Sequence, residues 1–111
     1  MIESYSFGKI TIKGEDFEDI KIIDDIVTPW HAAEHHTVTE QDILDLIENK
    51  PDYIIIGTGA SGLVYVKNDV IQKIEQKDIK LIIESTKKAC EEFNRLKSEG
   101  KKVNAILHST C

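Results

Sequence analysis

Cysteine is scarce: two residues in 111. That is too few for a disulfide framework or a four-thiolate zinc site. Proline (two) and glycine (six) are also sparse, and no tract of them, with or without serine, divides the chain. Arg95 is the single arginine, against a net charge of −6. Both facts argue against a nucleic-acid footprint, because bidentate contacts to phosphate and guanine favour arginine and such surfaces are basic. Long apolar runs are missing too. Tyr53–Ile56 spans four residues, whereas a membrane helix needs ~20. The opening Met1-Ile2-Glu3-Ser4 lacks the cationic start and apolar stretch of a secretion signal. The expectation is a cytoplasmic chain with neither nucleic acid nor membrane among its partners.

What is present reads as one α/β domain over residues 1–111. Apolar residues make up 41% and charged residues 31% of the chain, and there are 18 isoleucines. Such a chain can bury a core rich in β-branched side chains. Charge is uneven: residues 1–52 carry 4 lysines against 13 acids, and residues 53–111 carry 9 lysines and one arginine against 7 acids. A solvated charged surface accounts for this. Head-to-tail association or an acidic docking face is the alternative.

Periodicity places the elements. Ser4–Phe7 and Ile10–Ile12 read as two strands around Gly8, with Phe7, Ile10 and Ile12 on one face. Lys13-Gly14-Glu15-Asp16 reads as a turn, and Asp19–Val27 as a third strand of an antiparallel meander. Thr28–Thr37 is a loop with Pro29, Trp30 and three histidines. Thr39 then caps a helix, followed by acids in its first turn. Ile43, Leu44 and Ile47 share a face of that helix, with Leu46 beside it. Tyr53–Ile56 has the continuous apolar character of a strand buried on both faces. After the loop Gly57–Gly62, Leu63–Val66 reads as extended. Asn68 or Asp69 caps a second helix carrying Val70, Ile71 and Ile74. Ile79–Ile83 is a strand, and Ser85 or Thr86 caps a third helix with Ala89, Cys90, Phe93 and Leu96 inward. Gly100 stops that helix, and Val103–Leu107 closes as a strand. Strands alternating with helices over short connections predict parallel pairing and right-handed crossovers. The fold class is therefore three-layer α/β, with a mixed central sheet, parallel βαβ units and an N-terminal antiparallel meander.

Several segments together resemble the Mth-type domain family, which includes the adipogenesis-associated Mth domain protein and a mitochondrial complex I assembly factor. They are Tyr5-Ser6-Phe7-Gly8, Trp30 followed by His36-Thr37-Val38, Asp42-Ile43-Leu44, Pro51 to Gly59, Thr86 to Asn94, and His108-Ser109-Thr110-Cys111. The resemblance runs over nearly the whole chain. It implies a three-layer α/β fold with a mixed central sheet. It implies no particular reaction, and the eukaryotic roles it brings concern assembly or regulation.

Three groups of residues carry possible chemistry. Gly57-Thr58-Gly59-Ala60-Ser61-Gly62 matches G-x-G-x-x-G after an apolar strand, and Glu84 lies 22 residues beyond Gly62. Exposed glycine amides can hold a phosphate. However, the extended Leu63–Val66 replaces the helix that a dinucleotide site requires. A structural turn is the plainer reading, with Gly57 or Gly59 at positive φ or packed where a Cβ would clash. The second group is His31, Glu34, His35 and His36, metal-capable side chains in one loop without helical register. No metal is expected there; the loop is anchored by Trp30, and His36 bonds near the start of the Thr39 helix. The third is His108 with Ser109, Thr110 and Cys111. The C-terminal ends of the parallel strands gather Gly57, Thr58, Gly59, Ser85, Thr86 and His108, which form the candidate ligand-binding edge. A Cys–His or Ser–His nucleophile is conceivable there, with Glu84 as a possible orienting acid. A histidine satisfied at the sheet edge is the plainer reading, and no catalytic residue is assigned. Crossover geometry also brings Cys90 and Cys111 to the same edge, as a possible disulfide. Lys87, Lys88, Arg95 and Lys97, near Lys101 and Lys102, form the wet side of the third helix, with an acidic-partner surface as the alternative.

The functional expectation is a non-enzymatic protein-interaction, assembly or regulatory factor. It needs no cofactor and exists as a monomer or weak homodimer. The alternative is a small-anion or nucleotide-phosphate binder that uses the Gly57–Gly62 edge.

Overall fold

The computed structural model describes residues 1–111. Strands β1 (Ile2–Ser6), β2 (Lys9–Ile12) and β3 (Glu15–Phe17) form an antiparallel sheet in chain order. Next come β4 (Ile20–Ile23), β5 (Ile26–Pro29), β6 (Thr37–Val38), α1 (Glu40–Ile47), β7 (Tyr53–Thr58), β8 (Tyr65–Val66), α2 (Asn68–Glu75), β9 (Lys80–Glu84), α3 (Thr86–Ser98) and β10 (Val103–His108). The central sheet has the order β5-β4-β10-β7-β9. Strand β10 pairs parallel with β7 and antiparallel with β4, and β7 pairs parallel with β9. A short parallel pair, β6 with β8, completes the sheets. No helix is long and apolar enough to cross a membrane.

The alternation of side chains across β7 and β10 separates two cores. Ile55, Val103, Ala105 and Leu107 face a layer made of α3 and the N-terminal sheet, where they meet Phe93, Leu96, Ile10 and Ile12. Ile54, Ile56 and Ile106 face α1 and α2, where they meet Ile43, Leu46, Val70 and Ile74. The expected three-layer mixed α/β architecture is present. Ile55 and Phe93, expected at its centre, are both fully buried.

Several local expectations are corrected. Residues 19–27 do not form one strand. Asp24 and Asp25 both adopt positive φ (51° and 64°), a conformation that tight hairpin turns require, and the chain folds back as β4–β5 within the central sheet. The third strand of the meander is instead Glu15–Phe17, starting inside the segment read as a turn. Phe7 belongs to the turn at Gly8 and is exposed, so the alternation stops before it. Leu44 is also exposed: α1 buries Ile43 and Leu46, so its inner face is centred one position from the expected one. Ile83 lies on the edge strand β9, which is hydrogen-bonded to β7 alone, and is exposed at 37%. At α2 the cap is Lys67, which leaves Asn68 and Asp69 in the first turn.

A buried polar residue ties the layers together. Asn104, fully buried in β10, donates from Nδ2 to the Leu46 carbonyl and to Asn49 Oδ1, both at 2.8 Å. It joins the sheet to the end of α1, and its partnered amide avoids the cost of an unmade buried bond.

Candidate functional site

Strands β7, β9 and β10 run parallel, so their C-terminal ends meet at one edge. Gly57, Thr58, Gly59, Ser85, Thr86 and His108 are all there, as expected from the sequence. Thr86 is the fully buried hub of this edge. Its hydroxyl accepts the Gly59 amide (2.8 Å) and donates to the His108 carbonyl (2.5 Å), so one side chain links the ends of β7 and β10 to the start of α3. Thr58 Oγ1 donates to the Glu84 carbonyl at 3.0 Å. Ser85 is the N-cap of α3 but makes no side-chain capping bond.

The glycine loop is closed rather than open. The Ala60 amide donates to the Thr110 carbonyl (3.1 Å), the Ser61 amide to the Cys111 main-chain oxygen (3.0 Å), and the Gly62 amide to the Gly59 carbonyl (3.3 Å). With Gly59 on Thr86, all four amides from Gly59 to Gly62 have internal partners. Sterics require glycine at two positions. Gly59 has φ +102°, and a Cβ there would lie 2.3 Å from the Thr110 carbonyl oxygen; a Cβ on Gly57 would lie 2.8 Å from Leu107 and 2.9 Å from Thr86. No helix begins between Gly59 and Leu63. The loop grips the segment Ser109–Cys111, and the dinucleotide geometry is absent.

That grip brings the last residues against the histidine loop. Trp30 is buried and donates from Nε1 to Asp42 Oδ1 (3.1 Å), while Ala33 donates its amide to the same oxygen (3.3 Å). The other oxygen of Asp42 receives the amide and hydroxyl of Thr39, so one buried carboxylate both caps α1 and anchors the loop. Within the loop, His36 adopts φ +51°. Its carbonyl accepts the Tyr65 amide, and its ring nitrogens meet Cys111 instead of the expected group near the start of α1.

Three donor-capable side chains converge here. Cys111 Sγ lies 2.8 Å from His36 Nδ1 and 3.5 Å from Nε2. The ligand atoms of His36, His108 and Cys111 all lie within 4.8 Å of one another, and all three residues are partly buried. His108 Nδ1 donates to Asp19 Oδ2 at 2.8 Å. The other Asp19 oxygen accepts the amide and hydroxyl of Ser109, at 2.7 and 2.9 Å. Thr110 Oγ1 is 3.2 Å from His108 Nε2, and the Trp30 ring stands edge-on to the His108 ring at 6.0 Å. An open groove of about 650 Å³, with Gly8, Phe17, Asp19, Trp30 and His31 in its wall, adjoins the cluster through Asp19 and Trp30.

Other expected groupings separate. Of the loop set, only His36 joins the cluster. Glu34 pairs with Lys67 at 2.7 Å, His31 lines the groove, and His35 packs against the His36 ring. The Cys90–Cys111 bridge is not formed. Both thiols are free: Cys90 is buried in the core beneath β1, where burial pushes its thiol up to about 12, and Cys111 faces His36. The basic residues of α3 are partly neutralised in place, with Arg95 on Glu92 and Glu99 and Lys97 on Asp25. Asp19 was missed as the acid orienting His108. The antiparallel pairing of Ile20 with Leu107 sets Asp19 beside His108, and no motif in the sequence announces that pairing.

Comparison with known proteins follows the same geometry. Residues 2–108 match the model of the family described as protein of unknown function (DUF498/DUF598). The chain is 29% identical over 109 residues to the rat NADH dehydrogenase [ubiquinone] 1 alpha subcomplex assembly factor 3, covering 96% of this chain and 58% of that protein. It therefore spans under two-thirds of that curated relative's length. The solved structure of MT938 is 29% identical, with a TM-score of 0.82 over 100% of this chain and 98% of its own. A Bordetella pertussis protein described as a Mth938-like domain, 16% identical, shares the fold, with a TM-score of 0.64 over 97% of this chain and 84% of its own. With a family model spanning residues 2–108 and the fold shared with a Mth938-like domain, the chain belongs to the DUF498 family.

Proposed function

We propose that this chain is a cytoplasmic assembly or regulatory factor, a single α/β domain that works by holding a protein partner, as a monomer or weak homodimer. The observation that carries this reading is the alignment with an NADH dehydrogenase assembly factor over 96% of the chain. Two features of the edge support it. Its conspicuous glycine loop has no amide left for a phosphate, which weakens the anion-binding alternative. Leu63 and Tyr65, just beyond the loop, are exposed (70% and 57%); tyrosine is a residue enriched among interface anchors, and Leu63 adds apolar surface beside it.

The test combines two measurements. Melting temperature is followed with inorganic phosphate and with nucleotides, and proteins that co-purify from the native host are identified and reconstituted from purified components. The reading expects unchanged melting and a defined complex weakened at least tenfold by Leu63→Asp with Tyr65→Asp. Stabilisation by phosphate or nucleotide, as binding to the native state requires, together with no reconstituted complex, would overturn it in favour of the anion binder.

A further inference from the structure

We propose that His36, His108 and Cys111 form a binding site for a divalent first-row cation of the zinc class, oriented by Asp19. Each element of such a site is present. Two imidazoles and one thiol offer a nitrogen–nitrogen–sulfur set, the donors that zinc prefers. Three protein ligands leave a fourth position for water or for a group brought by a partner. The spacing also suits the ion. Bonds of about 2.3 Å to sulfur and 2.0–2.1 Å to nitrogen put tetrahedral ligands about 3.5 Å apart. Cys111 Sγ stands 3.5 Å from His36 Nε2 and 2.8 Å from Nδ1, and all three ligand atoms lie within 4.8 Å of one another, so turning the His36 ring to aim a lone pair at the shared centre brings the set to that size.

The Asp19–His108 bond is the second, independent observation. A carboxylate accepts and cannot donate, so the hydrogen of that bond sits on His108 Nδ1. Nε2 is then left with its lone pair toward Thr110 and the cluster. A carboxylate behind the distal nitrogen is the usual support of a metal-binding histidine. Asp19 is itself held by the amide and hydroxyl of Ser109. The frame around the other two ligands is equally determined. Main-chain bonds from Tyr65 fix His36, and those from Ala60 and Ser61 fix Thr110 and Cys111. On this view the glycine loop positions a ligand instead of binding a phosphate. Loading takes Cys111 as the thiolate, releases its proton to solvent, and moves the Thr110 hydroxyl off Nε2.

The experiment uses the full chain without an affinity tag, reduced and stripped with a chelator. Co2+ is titrated with absorbance recorded, then displaced by Zn2+. The expected result is one equivalent of Co2+ with a thiolate charge-transfer band that zinc abolishes. Cys111→Ser removes the band with the melting temperature unchanged. Asp19→Asn weakens affinity 10–100-fold, the effect of losing such a support, while the band persists at saturation. Cys90→Ala keeps both band and affinity. A band that survives Cys111→Ser, or no saturable binding by the unmodified chain, would overturn the site. Unchanged affinity in a folded Asp19→Asn protein would overturn the role given to Asp19.

Discussion

The glycine loop and the histidine–cysteine cluster lie on the same edge and divide its work in opposite ways. The loop has the recognisable motif, and all four of its central amides are engaged within the fold. The cluster has no motif, since its members are 72 and 3 residues apart in sequence, yet it gathers ligand atoms within 4.8 Å. A motif shows what a backbone is able to do. Whether it remains free to do so depends on what the rest of the chain packs against it.

The contrast can be broken most severely at Gly59. Gly59→Ala forces a side chain at φ +102° against the Thr110 carbonyl. It should cost at least about 3 kcal/mol in urea unfolding, from backbone strain plus overpacking. Cys111 should lose its fixed place at the same time. A smaller effect is expected at the hub. Thr86→Val keeps the shape but leaves the Gly59 amide and the His108 carbonyl without their partner, at about 2 kcal/mol. A loss of only a few tenths would show that the strand ends do not depend on that hydroxyl.

The two cysteines sharpen the comparison most gently. Alkylation of the folded protein should label Cys111 and spare Cys90 until unfolding, as followed by intact mass. Cys90 titrates at about 12 when folded, against 9.0 when unperturbed, because burial raises it, with Glu91 adding a smaller effect. Between those values the unfolded chain releases the proton and the native chain keeps it. The stabilisation from the buried thiol is therefore complete below pH 9 and is lost as pH rises toward 12. The stability gap between the unmodified chain and Cys90→Ala should narrow over that range. A constant gap would contradict the burial assigned to Cys90.

How much was legible in the sequence follows from how far each signal reaches. Tyr53–Ile56, the Thr39 cap and the Phe93 face of α3 could be read because strand and helix periods are local. The gathering of Gly59, Thr86 and His108 was also legible, because parallel βαβ units place strand ends together. Hairpin β4–β5 was not, since Asp24-Asp25 lacks the glycine that usually marks such a turn. Asp19 was out of reach for a related reason. Its partner His108 depends on the pairing of β4 with β10, a contact between segments nearly ninety residues apart. The disulfide expectation failed at a finer scale. Crossover handedness assigns an edge but not which way a side chain points, and Cys90 points into the core beneath β1.

The meeting of His36 and Cys111 closes a loop across 75 residues, and Asp19 reaches Ser109 across 90. Contacts of such separation carry the largest closure entropy and depend on the segments between them being in place. The cluster therefore exists only after β4, β7 and β10 have joined into one sheet. Release of residues 109–111 from the glycine loop alone would dissolve it while that sheet stays intact. Whatever binds there reads the completed fold.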